Sequence, residues 1–435
     1  MSKKKLFIVA LILGIPWMAV SLPRRESASP ERWVCTWATA QQLALENLPG
    51  ENARPDASKN APDQQSKRNS NAPILFPVPS RLQDQTVRMI VRTSLGGRKI
   101  RVNLSNALGK PPIRIGSVHV AIHKGGGAIV PGTDRTVTFS GKASLTLLPG
   151  VLMVSDPVDL DVPPLAYLAV SLYLPHDTGL PTHHRLGLHT TYISKGNATG
   201  REFMPEPSTT FAYLWLTSVD VLAPSDAFAI VALGDSITDG YATTLDADRA
   251  WPALLAQRLN STRGTRHISV VNLGISGNQL LHDGAGISAL ARFDRDVLSI
   301  AGVRWLVLLE GINDINLRGR TDGPEAVTSE DLIAGYRQII ERSHIHGIRV
   351  IGATLTPEEG VPTMSERGEQ IRQTVNKWIR TSNLFDAIVD FDAILRDPSR
   401  PVRLRPEFDP GDHIHPNDAG NQAMADAFEL EIFKK

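Results

Sequence analysis

The spacing of apolar residues along this chain changes character once, at about residue 227, and that change limits what it can fold into. Upstream, apolar and polar residues alternate from Val87 to about Val221. Val87, Met89 and Val91 fall on one register, as do Ile100, Val102 and Leu104, and Leu168, Val170, Leu172 and Leu174 oppose Tyr167, Ala169, Ser171 and Tyr173. Side chains of a strand point to alternate faces, so a period of two marks strands with one buried face. Gly96-Gly97, Pro111-Pro112, Gly125-Gly126-Gly127 and Pro163-Pro164 interrupt these runs. Short strands with frequent turn signals predict an all-β sandwich domain over residues 87–223. The preceding segment, 23–86, contains a strand-like run, Trp33–Gln42, and a polar stretch, Glu46–Asn71, too poor in apolar residues to build a core.

Downstream the pattern is different. Phe228–Leu233 is a continuous apolar run, as in a strand buried on both faces of a parallel sheet. Strand-like segments at 268–273, 303–309, 348–355 and 387–391 alternate with helical ones at 249–260, 288–299, 331–344 and 366–380, and a helix over 417–433 closes the chain. This alternation predicts an α/β domain over 226–435, with a central parallel sheet and helices on both faces. Sites in such sheets form beyond the carboxyl ends of the strands.

The 46 basic and 45 acidic side chains nearly cancel. Nucleic acid and anionic membranes call for a basic excess, so neither is expected as a partner. The single cysteine, Cys35, allows no intramolecular disulfide, and its setting, Trp33-Val34-Cys35-Thr36-Trp37, predicts a buried structural thiol. Lys3, Lys4 and Lys5 precede an apolar stretch, Leu6–Val20, and a small-residue cleavage sequence, Ala19-Val20-Ser21. Residues 1–22 read as a signal peptide or an N-terminal anchor, because the stretch is short of the roughly 20 residues of a membrane span. A secreted or periplasmic location is the expectation, with no membrane contact beyond such an anchor.

Four segments lie where the sheet would put a site. Gly234-Asp235-Ser236-Ile237-Thr238-Asp239-Gly240 follows the first parallel strand and can present the Ser236 hydroxyl at the sheet edge. Asn272-Leu273-Gly274-Ile275-Ser276-Gly277-Asn278 follows the second, where Gly277 lets the backbone approach a substrate and aim its N–H. Glu310-Gly311-Ile312-Asn313-Asp314 follows the third and offers the Asn313 amide as a neutral donor. Asp412-His413-Ile414-His415-Pro416-Asn417 precedes the last helix, with an acid three residues before an imidazole. In a turn entering a helix, that spacing can bring the carboxylate to His415 Nδ1 and leave Nε2 facing the serine.

Together and in this order, the segments resemble the conserved blocks of the SGNH, or GDSL-type, hydrolases. The resemblance covers about Ala227 to the C-terminus, and the upstream sandwich is similar to the N-terminal module of a secreted bacterial subset. It implies a flavodoxin-like three-layer sandwich and a serine esterase without a cofactor or metal. Ser236 matches the family nucleophile, with Asp412 and His415 as its triad partners. Ser236, Gly277 and Asn313 match the oxyanion-hole positions. Ile237 replaces the commoner leucine after Gly-Asp-Ser, and His413 replaces a glycine after the acid. The implied substrate is a small-molecule or polysaccharide ester, with short acyl groups such as acetyl favoured.

Two other readings compete. His183-His184, His344-x-His346 and His413-x-His415 could ligate a metal in a metal-dependent esterase, although His344 and His346 would not share a helix face. Trp33, Trp37, Tyr167, Tyr173, Tyr213 and Trp215 could form a sugar platform in a non-catalytic carbohydrate-binding protein.

Overall fold

The structure, a computed structural model, describes residues 30–42, 78–320, 323 and 325–434. The expected signal or anchor over 1–22 and the polar stretch 46–71 lie outside the described residues. Among the described residues, no helix is long and apolar enough to cross a membrane.

The N-terminal module is largely β. Its principal strands are β1 (Glu31–Ala38), β2 (Gln85–Arg92), β3 (Gly97–Ser105), β4 (Ser117–Gly125), β5 (Val158–Val162), β6 (Tyr167–Leu174), β7 (Thr191–Lys195) and β8 (Leu216–Pro224). One sheet runs β1-β8-β3-β5, and the other runs from Ser208–Thr210 through β7-β2-β6-β4 to Ala128–Ile129. The pairings are antiparallel. The period-two residues explain the packing: Val87, Met89 and Val91 from one sheet and Ile100, Val102 and Leu104 from the other are fully buried in one shared core. Arg88 departs from simple alternation, because it too is fully buried. Its guanidinium reaches Ser171 Oγ at 2.9 Å and the carbonyls of Gly127, Ala198, Thr199 and Arg201, so its donors are met inside the protein. Burial pushes its pKa down to about 10.

The sandwich begins earlier than the expected residue 87. β1, from the segment read as separate, pairs with β8 from Glu31↔Pro224 to Ala38↔Ser218. It also joins the two domains. Val34 faces the sandwich core and Cys35 the core of the α/β domain, and both are fully buried, as expected for the thiol. Cys35 N–H donates to Ala301 O at 2.9 Å, and Ser269 Oγ donates to Cys35 O at 2.6 Å.

The α/β domain contains β9 (Phe228–Gly234), α1 (Ser236–Asp239), α2 (Trp251–Ser261), β10 (Ile268–Gly274), α3 (Ala289–Phe293), β11 (Val303–Leu309), α4 (Ile312–Arg318), α5 (Ser329–Ile345), β12 (Arg349–Ala353), α6 (Glu366–Thr381), β13 (Ala387–Val389), α7 (Phe391–Leu395) and α8 (Asp418–Asp426). The strands are parallel in the order β10-β9-β11-β12-β13. Every residue of β9 is buried, in line with its unbroken apolar run. The path steps to one side of β9 and then crosses to the other. With right-handed crossovers, that reversal sets α2 on one face and α3, α5 and α6 on the opposite face. The packing agrees, since α2 contacts α8 while α5 contacts both α3 and α6.

Several expected elements end early. The strand read to residue 391 stops at Val389, because the Asp390 carboxylate caps α7 by accepting the Ala393 N–H. The closing helix over 417–433 stops at Asp426, and a separate 3-10 turn spans Leu430–Lys434. Residues five apart point about 140° from one another on an α-helix. The break lets Phe428 stack on Trp251 at 5.5 Å while Phe433 meets Trp305 edge-on at 5.4 Å.

Candidate active site

The chain reverses its direction of travel across the sheet at β9, so the carboxyl ends of β9 and its neighbours form a crevice. Gly234, Gly274 and Leu309 stand level there. At Gly274 the one-turn helix α1 crosses so closely that a Cβ would lie 2.3 Å from the Asp239 nitrogen. This close approach fixes α1 and therefore Ser236, its first residue, which is 7 % exposed. The Asp235 carboxylate caps α1 by accepting the Ile237 N–H at 2.9 Å.

Residues separated by 179 positions meet over this crevice: His415 Nε2 lies 2.8 Å from Ser236 Oγ. His415 Nδ1 lies 2.8 Å from Asp412 Oδ2, while Asp412 Oδ1 accepts the backbone N–H groups of Ile414 and His415. Burial alone would raise the Asp412 pKa. The hydrogen bond and charge of His415, with the two backbone donors, outweigh it and bring the pKa below the ordinary value. His413 adopts φ +68°, the left-handed conformation that favours glycine. Asp409 supports this turn, accepting the His413 N–H at 3.0 Å and facing its Nδ1 at 2.6 Å. Tyr241 lies against the same imidazole, its ring centroid 4.4 Å from that of His415.

The other two segments supply donors. Gly277 has φ +80°. Asn313, at the start of α4, donates one amide hydrogen to Asn278 O at 2.9 Å and so ties α4 to the Gly277 loop. Asp314 adds a second tie by accepting the N–H groups of Leu280 and Leu281. Among the described residues, no acceptor engages the N–H of Ser236 or Gly277. Ser236, Gly277, Asn313, Asp412 and His415 are thus all brought to one crevice.

Beneath it lies a buried charge cluster that the sequence did not disclose. Arg292 donates to Gly234 O, Leu273 O, Asn278 Oδ1 and Asp296 Oδ2, joining the ends of β9 and β10 to the Gly277 loop. Its only signal was a cation inside an apolar helical run, Ala289-Leu290-Ala291-Arg292-Phe293, with Asp296 four residues on. Glu310 is fully buried 4.0 Å from Arg292 Nη2, and among the described residues neither of its carboxyl oxygens has a hydrogen-bond partner. Burial first, then the Asp235 charge, pushes its pKa well up. Burial likewise pushes Asp235 up to about 7 and Asp314 to about 6.

Residues 232–423 match the family model described as the GDSL-like Lipase/Acylhydrolase family. This domain belongs to that family. The GDSL-type assignment makes the chain a carboxylic ester hydrolase. No curated protein matches the chain. Solved structures similar to it include an acetyl xylan esterase from Geobacillus stearothermophilus, 23 % identical over 48 % of this chain and 96 % of its own, with a TM-score of 0.36. A GDSL-like lipase from Bacteroides thetaiotaomicron is 21 % identical over 47 % of this chain and 88 % of its own, with a TM-score of 0.35. An alpha/beta hydrolase enzyme from the metagenome of Lake Arreo, Spain, is 24 % identical over 47 % of this chain and 95 % of its own, with a TM-score of 0.35.

Three of the histidines weighed as metal ligands have other partners. His183 Nδ1 meets Pro181 O, His344 pairs with Asp386 and His413 with Asp409. Of the aromatic residues weighed as a sugar platform, Tyr213 and Trp215 are buried in the sandwich core, and Arg101 covers the Trp33 ring at 4.2 Å.

Proposed function

We propose that the chain hydrolyses carboxylic esters through an acyl-enzyme on Ser236. The observation that carries this reading is the placement of His415 between Ser236 Oγ and Asp412, at 2.8 Å on each side. A serine hydroxyl is a weak nucleophile and needs a base. His415 Nε2 takes the proton as Oγ attacks the ester carbonyl, and returns it to the departing alcohol. Asp412 holds Nδ1 protonated and stabilises the imidazolium that forms. The carbonyl oxygen becomes an oxyanion, and its donors are the N–H groups of Ser236 and Gly277 and the second amide hydrogen of Asn313. Water, activated by the same imidazole, then releases the acid and restores Ser236.

The proposed substrate class is short acyl esters, acetyl groups on carbohydrate included. What supports a short acyl group is the polar set on one side of Ser236: His415, held by Asp412, with the Tyr241 ring against the imidazole. Export is proposed from Lys3–Lys5 and Leu6–Val20. The test is hydrolysis of p-nitrophenyl esters of increasing chain length beside acetylated xylan. Turnover should be highest with acetate and vanish in a folded Ser236→Ala variant. Undiminished turnover in that variant would refute the mechanism.

A further inference from the structure

The Gly277 loop is held from the β module as well as from its own domain. Asp239, the last residue of α1, is 3 % exposed and divides its carboxylate between two partners. Oδ2 accepts the Ser276 N–H at 2.8 Å and the Ser276 hydroxyl at 2.7 Å. Ser276 immediately precedes Gly277, so these bonds fix the peptide whose nitrogen is the Gly277 N–H. Oδ1 lies 2.9 Å from Nε2 of His184, which belongs to the short strand His183–His184 of the β module.

The surroundings of His184 decide its form. Nδ1 lies 2.7 Å from Ala40 O, and Nε2 lies 3.2 Å from Leu186 O besides Asp239. Carbonyls and a carboxylate can only accept, so both ring nitrogens must donate, and the ring is an imidazolium. Burial would strip that proton. The Asp239 charge and hydrogen bond, with the two carbonyls, more than restore it, and the His184 pKa is raised. A buried carboxylate without a cation is costly, and it relaxes by taking up a proton or moving toward water. Protonation would weaken the bonds that Oδ2 accepts from Ser276, and movement toward water would break them.

We infer that His184 is a positioning residue for ester hydrolysis, through which the β module holds the Gly277 N–H in place by way of Asp239 and Ser276. The inference rests on the oxyanion reading of the site. It gives the β module a part in the chemistry that needs no glycan binding. It also accounts for a polar histidine buried where two domains meet: each ring nitrogen is used, and the carboxylate it pairs with faces the reaction.

The test uses the full chain with His184→Ala, His184→Gln and Ser276→Ala, and Ser236→Ala as the inactive reference. A fluorophosphonate, carried to completion, counts competent serines so that kcat is expressed per active site. An oxyanion donor acts mainly in the transition state, so its displacement lowers kcat with little change in KM. His184→Ala is expected to lose 10- to 100-fold in kcat with KM within twofold, and His184→Gln, which keeps one donor toward Asp239, to recover part of the loss. Ser276→Ala, which leaves the His184–Asp239 pair in place, is expected to lose severalfold in kcat and carries the test where the His184 variants do not fold. A merely structural role would lower the count of competent serines and the melting temperature while leaving kcat per site unchanged. That result overturns the inference and leaves the triad intact. Activity persisting in Ser236→Ala would instead remove the reading on which it rests.

Discussion

Asp412 grips His415 at two points: Oδ2 lies 2.8 Å from the ring Nδ1, and Oδ1 accepts the backbone N–H of the same residue at 3.0 Å. One carboxylate therefore sets both the position of the backbone and the orientation of the ring. An asparagine could keep the backbone contacts through its oxygen only by turning its NH2 toward Nδ1. That would favour the tautomer with hydrogen on Nε2, which cannot take the serine proton. Asp412→Asn is expected to retain the fold and lose about 10³- to 10⁴-fold in kcat, with KM little altered. Steady-state hydrolysis of p-nitrophenyl acetate, with circular dichroism as the control for folding, checks it. A loss below tenfold would remove Asp412 from the triad.

In the proposed mechanism Asn313 has two tasks. One amide hydrogen is spent on Asn278 O at 2.9 Å, and the other is left for the substrate. Asn313→Ala removes an oxyanion donor and loosens the Gly277 loop together, so kcat should fall by about 10²- to 10³-fold. Asn313→Asp should be at least as damaging, because a carboxylate would repel both the oxyanion and Asn278 O. The ratio of kcat to KM effects reads the outcome. A change confined to KM would assign Asn313 to substrate binding alone.

The buried carboxyls beneath the crevice should make stability depend on pH in a defined direction. The native state raises the Asp235 pKa from 3.8 to about 7, chiefly by burial and then through the Asp314 and Asp239 charges. Glu310 and Arg292 also adjoin this cluster. Between those two values the native state binds a proton that the unfolded chain has released. The contribution of Asp235 is therefore full below about pH 4, declines as pH rises toward 7, and stays low above it. Asparagine is an equally good cap for α1 and never ionises. Asp235→Asn should thus raise the melting temperature by a few degrees more at pH 8 than at pH 5, by calorimetry. An equal shift at both values would show that Asp235 does not titrate in this range.

Much of this was legible in the chain because periodicity and motif order report what is local. The continuous run Phe228–Leu233 became the fully buried β9, and Val87, Met89 and Val91 faced the sandwich core. Ser236, Gly277, Asn313, Asp412 and His415 each sit at a strand end or helix entry, where a short segment carries its own geometry. What the sequence concealed is contact between distant segments. Trp33–Gln42 reads as a strand-like run in a separate N-terminal segment, and nothing local shows that β1 pairs with β8. Little in the sequence marks Arg88 and Arg292, because only the fold brings carbonyls around them. His184 resembled half of a metal pair, and its partner, Asp239, lies 55 residues away.

The junction between the domains supplies a last prediction. His189 Nε2 lies 2.9 Å from Asp248 Oδ1, and its Nδ1 lies 3.5 Å from Asp246 Oδ1. Tyr167 and Arg92 of the β module meet the same Asp248. Burial opposes the His189 charge, but the two carboxylates prevail and raise its pKa from 6.5 to about 9. For a base with a raised native pKa, the stabilisation is complete below about pH 6.5 and is lost as pH rises through 9, and this shift corresponds to about 3 kcal/mol. His189→Gln, neutral throughout, should melt several degrees below the parent at pH 6, and the gap should narrow steadily toward pH 9.5. Scanning calorimetry across that interval tests it. Parallel curves for the two proteins would mean that the ion pair does not hold the domains together. A gap that closes with pH would identify His189 as the residue through which alkaline conditions loosen the junction.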